Sequence, residues 1–223
     1  MHLEAVLGRI AQAAARAGRD SVGVQIVAVT KTHPVSAVRE AAAAGLSDVG
    51  ENRVQEALGK QQEWPDAPVR WHLIGHLQRN KAKQAAGKFA LIHSLDSIRL
   101  ADALEQAAAA SGIVQDVLLQ VNVAREPQKD GAAPEEVDAL VAHVAMQPHL
   151  RLKGLMTMAP LTDDATVIRA TFRGLRELQG RLAAGGATLA HLSMGMSSDF
   201  EIAVEEGATL LRLGTVLFGE RRP

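Results

Sequence analysis

The 223-residue chain has neither cysteine nor tyrosine. The first absence rules out disulfides, thiolate zinc sites and thiol nucleophiles, and fits a reducing compartment, so the cytoplasm is the expected location. The second rules out any mechanism in which this polypeptide alone uses a phenol as acid or base. An excess of one charge is also missing. The formal net charge is -1, so the balance calls for no nucleic acid, membrane surface or highly charged partner, and a small-molecule site or a neutral protein partner is expected. No apolar run reaches the length of a membrane span. The opening "MHLEAVLGRIAQAAARAGRD" reads as an amphipathic helix with an early Glu4, unlike a secretory signal.

What is present is a chain 47% hydrophobic and long enough for one domain, expected over 1–223, to hold its core without metal or disulfide staples. After the first helix, short apolar and often β-branched runs alternate with segments of helical period. Strands are expected at 24–31, 46–51, 69–75, 90–96, 116–123, 151–158, 189–195 and 209–215. Helices are expected to start near Ser36, Asn52, Gln78, Ser97, Pro134, Asp164 and Ser198, several of them with favourable capping residues. Eight strand–helix repeats with right-handed crossovers predict a single (β/α)8 TIM barrel preceded by an extra N-terminal helix. Such a barrel closes its own sheet edges, and a monomer is expected.

In a barrel of this kind the site lies where the strands end. "VAVTKTHP" places Lys31 after an apolar run that reads as buried on both faces. Its ammonium is either solvated at the barrel mouth or desolvated, and a desolvated lysine is a nucleophile able to form a Schiff base with a carbonyl. At the other end of the chain, "HLSMGMSSDFEIAVEEGATLLRLGTVLFG" puts two Gly- and hydroxyl-rich loops after the last two strands, where barrels often bind phosphate. Ser197, Ser198, Gly214 and Thr215 are the candidate contacts, although Ser and Asp also serve as simple helix caps. Arg212, between leucines expected to face the helices, is predicted to point into the barrel mouth. It then needs an acceptor, either a carboxylate or a ligand ring nitrogen. His72 and His76 have a spacing that binds metal on a helix but here straddle a strand and a turn without an acidic companion, so no metal is assigned. Lys129, in "REPQKDG", reads as a surface-loop residue bordering the site entrance.

In this order, "VAVTKTHP", "VGENRVQEA", "WHLIGHLQRNKAK", "SLDS", "LLQVNV", "LKGLMTM" and "LSMGMSSDFEIAVEEGATLLRLGTVLFG" resemble the pyridoxal phosphate homeostasis family, whose fold is similar to the N-terminal barrel domain of alanine racemase. The resemblance implies pyridoxal 5′-phosphate as cofactor, held as an internal aldimine on Lys31. It implies phosphate contacts at Ser197, Gly214 and Thr215, an Arg212 facing the pyridine nitrogen, and an Asn52 close to the ring. Met196 and Met156 are its expected walls. In the "EPQKDG" loop only the lysine and glycine agree with the usual pattern, so no gating role passes to Lys129.

An arginine opposite the pyridine nitrogen keeps that nitrogen unprotonated and weakens the ring as an electron sink. Racemization also needs an acid or base on each face of the substrate carbon. Lys31 serves one face, and the tyrosine that serves the other in similar racemases has no counterpart here. The expectation is therefore a non-catalytic carrier that buffers the cofactor or delivers it to apo-enzymes and exchanges with amino acids. The alternatives are a weak racemase or transaminase-like enzyme and, last, a Schiff-base aldolase acting on a sugar phosphate.

Overall fold

A computed structural model describes residues 1–219, so residues 220–223 of the expected domain lie outside the described residues. Among the described residues eight parallel strands close into a barrel in sequence order, β8 pairing with β1. They are β1 (Gln25–Val29), β2 (Asp48–Glu51), β3 (Arg70–Leu73), β4 (Leu91–Leu95), β5 (Gln115–Gln120), β6 (Leu150–Met156), β7 (His191–Ser193) and β8 (Leu210–Leu213). The helices are α1 (Leu3–Arg16), α2 (Val35–Ala43), α3 (Val54–Glu63), α4 (Ala82–Ala85), α5 (Ile98–Ala110), α6 (Val137–Ala145), α7 (Ala165–Ala184), α8 (Phe200–Glu205) and α9 (Thr215–Phe218). None of them is long and apolar enough to cross a membrane.

All eight expected strands form, but each is shorter than its apolar run. β1 stops at Val29 and β8 at Leu213, which leaves Lys31 and Gly214 on loops at the C-terminal rim and Thr215 at the start of α9 beside them. Helix starts follow local chemistry. Asp164 caps α7 by accepting from the Thr166 N–H at 2.8 Å, while short 3-10 turns at Arg79–Lys81 and Pro134–Glu136 precede α4 and α6. The expected extra helix, α1, buries Val6, Ile10, Ala13 and Ala14 on one face. Ion pairs from Arg9 to Glu201 and from Arg16 to Glu205 tie it to α8.

Alternation along the strands sorts side chains into two cores. In β1, Ile26 and Ala28 pack with the helix layer, as do Leu211 and Leu213 of β8. Val27, Val29 and Leu210 join Ile74, Leu91, Leu118 and Met156 in a separate cluster inside the barrel. Arg212 is in register with Val27 and shares its inward side. The interior also buries Asp48, His72, His93 and Ser193, so it is far more polar than continuous apolar strands suggest.

Candidate functional site

The segment around Lys31 is held from beneath by a buried clamp. Lys60, on α3, donates from Nζ to the Thr30 carbonyl oxygen at 2.8 Å, to Glu51 Oε1 at 2.6 Å and to Glu56 Oε1 at 3.0 Å. The Thr30 hydroxyl also donates to Glu51 Oε1, at 2.6 Å, and the Thr32 N–H donates to Glu56 Oε1 at 2.5 Å. Both neighbours of Lys31 are thus pinned, with Thr32 at a φ of 64° that non-glycine residues seldom adopt. Burial pushes the Glu51 carboxyl up against the pull of Lys60 and Thr30. Burial also opposes the charge on Glu56, but its bonds from Lys60 and the Thr32 N–H outweigh it and hold that carboxyl below its ordinary value. Lys31 itself is half-buried.

The facing wall comes from the loops after β7 and β8. The Ser197 hydroxyl oxygen accepts from the Gly214 N–H at 3.3 Å and from the Val216 N–H at 3.2 Å, joining the two loops. Asp199 fixes the first loop by accepting from the Met196 N–H at 2.6 Å. Gly195 is needed here, since its φ is 94° and a Cβ would lie 2.6 Å from Ala203 Cβ. Gly75 is needed on the other side, because its missing side chain leaves room for the Asn52 carbonyl.

Arg212 is buried and donates from Nη1 to the Ser193 hydroxyl at 2.7 Å and from Nη2 to the Thr157 carbonyl at 2.9 Å. The acceptors inside the barrel are therefore a hydroxyl and a carbonyl, and neither is the carboxylate weighed from the sequence. Burial lowers the guanidinium to about 10, with the Asp199 charge acting in the opposite direction. It remains a cation at neutral pH.

These elements enclose one cavity of about 660 Å³. Lys31 and Asn52 line it on one side; Met196, Ser197, Arg212, Gly214 and Thr215 line it on the other. Ser198 lines it too. Eight of the nine residues expected at a cofactor site, all but Met156, thus converge, although 184 positions separate Lys31 from Thr215 in the sequence. Met156 does not reach the cavity. It is the last residue of β6 and is fully buried within the barrel, while Met158, beyond the strand end, takes the wall position. Lys129 lines a smaller adjoining cavity of about 160 Å³ and donates to the Ala159 carbonyl at 2.7 Å.

His72 and His76 share no site. His72 points into the barrel toward Asp48 and His93, whereas His76 sits at the cavity wall, 3.6 Å from Asp130 and 3.7 Å from Asp96. Among the described residues no group of three or more metal-ligating side chains is assembled. Sequence reasoning missed Gln120, Asp130 and His76 as wall residues, and it missed the Lys60 clamp. The Glu56–Lys60 spacing was visible, but such pairs usually mark an exposed helix face.

A second cavity, of about 650 Å³, lies outside the barrel between α6 and α7. Its lining is largely apolar, and its Asp138 and Arg181 pair with each other. Among the described residues no lysine, histidine or serine lines it.

A lysine and a hydroxyl-rich double loop thus line one cavity at the barrel mouth. The sequence comparison shows the family. Residues 1–222 match the family described as alanine racemase, N-terminal domain. The chain is 46% identical over 221 residues to a pyridoxal phosphate homeostasis protein of Aquifex aeolicus, covering 99% of this chain and 97% of that one. It is 49% identical over 216 residues to the protein of the same name in Pseudomonas aeruginosa, covering 97% and 93%. The chain belongs to the pyridoxal phosphate homeostasis protein family. Among solved structures, PipY of Synechococcus elongatus with PLP bound superposes with a TM-score of 0.83 at 41% identity, covering 94% of this chain and all of that one. An alanine racemase of Clostridium difficile shares the fold at a TM-score of 0.81 and 14% identity, with this chain spanning 57% of it.

Proposed function

We propose that this chain binds pyridoxal 5′-phosphate in the rim cavity and buffers it, or delivers it to apo-enzymes, without turning over an amino acid. The observation that carries this reading is the convergence of Lys31, Asn52, Met196, Ser197, Arg212, Gly214 and Thr215 on one cavity. Its volume is within the usual range for a small-molecule pocket. A relative 41% identical over 94% of this chain has been solved with PLP bound, which supports the same ligand here.

The donor set fits the cofactor. Bound pyridoxal phosphate supplies an aldehyde that condenses reversibly with amines. Lys31 Nζ is the amine that holds it, on a loop whose flanking backbone the Lys60 clamp keeps in place. Ser197 ties the Gly214–Val216 turn into a cradle by accepting from two of its N–H groups, and the hydroxyls of Ser197, Ser198 and Thr215 that line the cavity suit a phosphate. Arg212 uses one N–H on Ser193 and one on Thr157, and its remaining donors suit an unprotonated ring nitrogen. Its lasting positive charge favours that unprotonated state. Asn52 and Met196 complete the walls.

Holding in place of turnover follows from proton transfer. Racemization needs a group on each face of the reacting carbon; Lys31 supplies one, and the chain has no tyrosine for the other. The whole chain then acts as one monomeric cytoplasmic unit. Borohydride reduction of the PLP-loaded protein followed by peptide mapping is expected to label Lys31. Label elsewhere, or none, rejects the reading.

His76 gives a reason to keep a second reading, because it is a titratable group at the cavity wall within reach of Asp130. If weak racemase or transaminase-like activity exists, amino acids will exchange their α-hydrogen with deuterium oxide faster than in Lys31→Ala, and His76→Gln will slow that exchange.

A further inference from the structure

A chain of polar side chains crosses the barrel interior from Arg212 to the opposite end. Arg212 Nη1 lies 2.7 Å from Ser193 Oγ, Ser193 Oγ lies 2.9 Å from His93 Nδ1, and His93 Nε2 lies 2.9 Å from His72 Nδ1. His72 Nε2 is 2.8 Å from Asp48 Oδ1, and Arg70 grips the same carboxylate with bonds of 2.7 and 2.6 Å. Each link joins a different strand, β8 to β7, β4, β3 and β2. Ser193 and His93 are fully buried, and His72 is 5% exposed.

Donor accounting fixes the direction of this chain. Arg212 has only donors, so Ser193 Oγ accepts from it. Asp48, already gripped by Arg70, accepts only, so His72 Nε2 carries a proton and donates. Burial, with the charge of Arg212 adding to it, holds His93 well below its ordinary value and therefore neutral. A neutral His72 must then accept at Nδ1, His93 must donate from Nε2, and the Ser193 hydroxyl must donate to His93 Nδ1. This arrangement satisfies every donor without burying another charge. The reverse one makes His72 a buried cation and takes from Ser193 its acceptor.

The consequence reaches the cofactor cavity. With its proton committed to His93, the Ser193 hydroxyl presents only lone pairs to Arg212. The guanidinium is then held by two fixed acceptors, Ser193 Oγ and the Thr157 carbonyl, and its free edge keeps one orientation at the cavity wall. We propose that His93 and His72 are positioning residues for Arg212, setting its orientation toward a bound cofactor ring through Ser193 although neither lines that cavity. This deepens the cofactor reading and rests on it for the ring contact alone.

Two measurements test it. In cofactor-free protein, ¹⁵N shifts of the histidine rings are expected to show His72 and His93 both neutral and protonated on Nε2; a proton on His93 Nδ1 overturns the proposal whatever the protein binds. With PLP added, absorption and emission spectra are recorded for wild type, Arg212→Gln, His93→Leu, Ser193→Ala and His93→Gln, with circular dichroism to select folded variants. His93→Leu and Ser193→Ala should shift the bound-cofactor bands in the same direction as Arg212→Gln and weaken PLP binding about tenfold. His93→Gln, which can both accept and donate, should restore part of the shift. In the Arg212→Gln background, His93→Leu should add nothing further. Additive shifts, or wild-type spectra in both His93→Leu and Ser193→Ala, overturn it. If wild type itself takes up no PLP, the cofactor reading fails, and the ring-nitrogen measurement still decides the relay.

Discussion

Replacing Lys60 with methionine removes the cation beneath the Lys31 loop while keeping much of its apolar volume. Glu51 is fully buried and Lys60 is 5% exposed, so the substitution leaves a carboxylate in a dry environment with the Thr30 hydroxyl as its donor and the Glu56 carboxyl as a neighbour. Breaking one side of a buried pair costs about 3–5 kcal/mol, a large share of the roughly 5–15 kcal/mol by which domains are stable. For a chain of this length that corresponds to a fall in Tm of roughly 6–20 °C. The effect carries a pH signature. Burial already raises the Glu51 carboxyl in the folded state, and losing Lys60 raises it further. A raised folded-state carboxyl favours folding below its unfolded value and loses that contribution as pH rises through the folded value. The variant is therefore worst near pH 8 and approaches wild type as the pH falls and Glu51 takes up a proton. Adding Glu51→Gln to Lys60→Met should recover part of the loss, because no charge is then stranded. Thermal melts by circular dichroism between pH 5 and 8 are the assay. A Lys60→Met protein within about 1 kcal/mol of wild type at pH 8, or a deficit that neither narrows with acid nor responds to Glu51→Gln, would refute the clamp.

Asp48 titrates with the opposite sign: burial opposes its charge, but the bonds from His72 and Arg70 prevail and lower it to about 2. Its contribution, about 2 kcal/mol, is present above the unfolded value and lost as pH falls through about 2. In acid titrations followed by fluorescence, Asp48→Asn should flatten the loss of stability across that window, and parallel curves for the two proteins contradict the assignment. Gly75→Ala should cost about 1–3 kcal/mol and weaken PLP binding, since its Cβ runs into the Asn52 carbonyl. Gly214→Ala in cofactor-free protein, where the nearest atoms are 3.5 Å away on Val29, should cost less than about 1 kcal/mol. Urea midpoints that rank the two variants the other way refute this packing account.

The architecture was legible because it depends on periodicity. Each of the eight apolar runs overlaps a strand, β5 and β6 starting one residue before theirs, and the capping residue at Asp164 marks where α7 begins. The rim residues were legible because a parallel barrel fixes which end of each strand carries the site, so Lys31 and Thr215 could be brought together without knowing any distance. Strand ends were less legible. The run "VAVTK" gives no sign that hydrogen bonding to β2 and β8 ceases near Thr30, and "LKGLMTM" does not say whether Met156 or Met158 passes the last ladder bond. The polar interior escaped for a different reason. In "RWHL" and "LIHSL" the histidines occupy inward positions of buried strands, but a single buried histidine usually means only a locally satisfied side chain. That His72 and His93 face each other depends on the stagger between β3 and β4, where His72 is in register with Leu91 instead of His93. One-dimensional patterns do not contain that offset.

The polar interior also changes how the Lys31 loop and Arg212 are related. Arg212 alone inside a barrel of valine and leucine would be an uncompensated charge. The structure answers with Ser193 and the Thr157 carbonyl next to it, and with Asp48 at the far end of a hydrogen-bonded line. Lys31 is treated similarly: the carboxylates of Glu51 and Glu56 are spent on Lys60, Thr30 and the Thr32 N–H, and they act on the backbone around Lys31. In both cases the compensating carboxylates lie behind the residue that faces the cavity, directly against the backbone around Lys31 in one and four hydrogen bonds from Arg212 in the other. Such an arrangement fits the proposed carrier, which needs its cavity-facing residues oriented but needs no acid–base pair at the reacting atoms. Loss of the supporting charges should therefore affect affinity and spectrum before it affects the identity of the residue that binds, and borohydride labelling of a folded His93→Leu protein should still fall on Lys31.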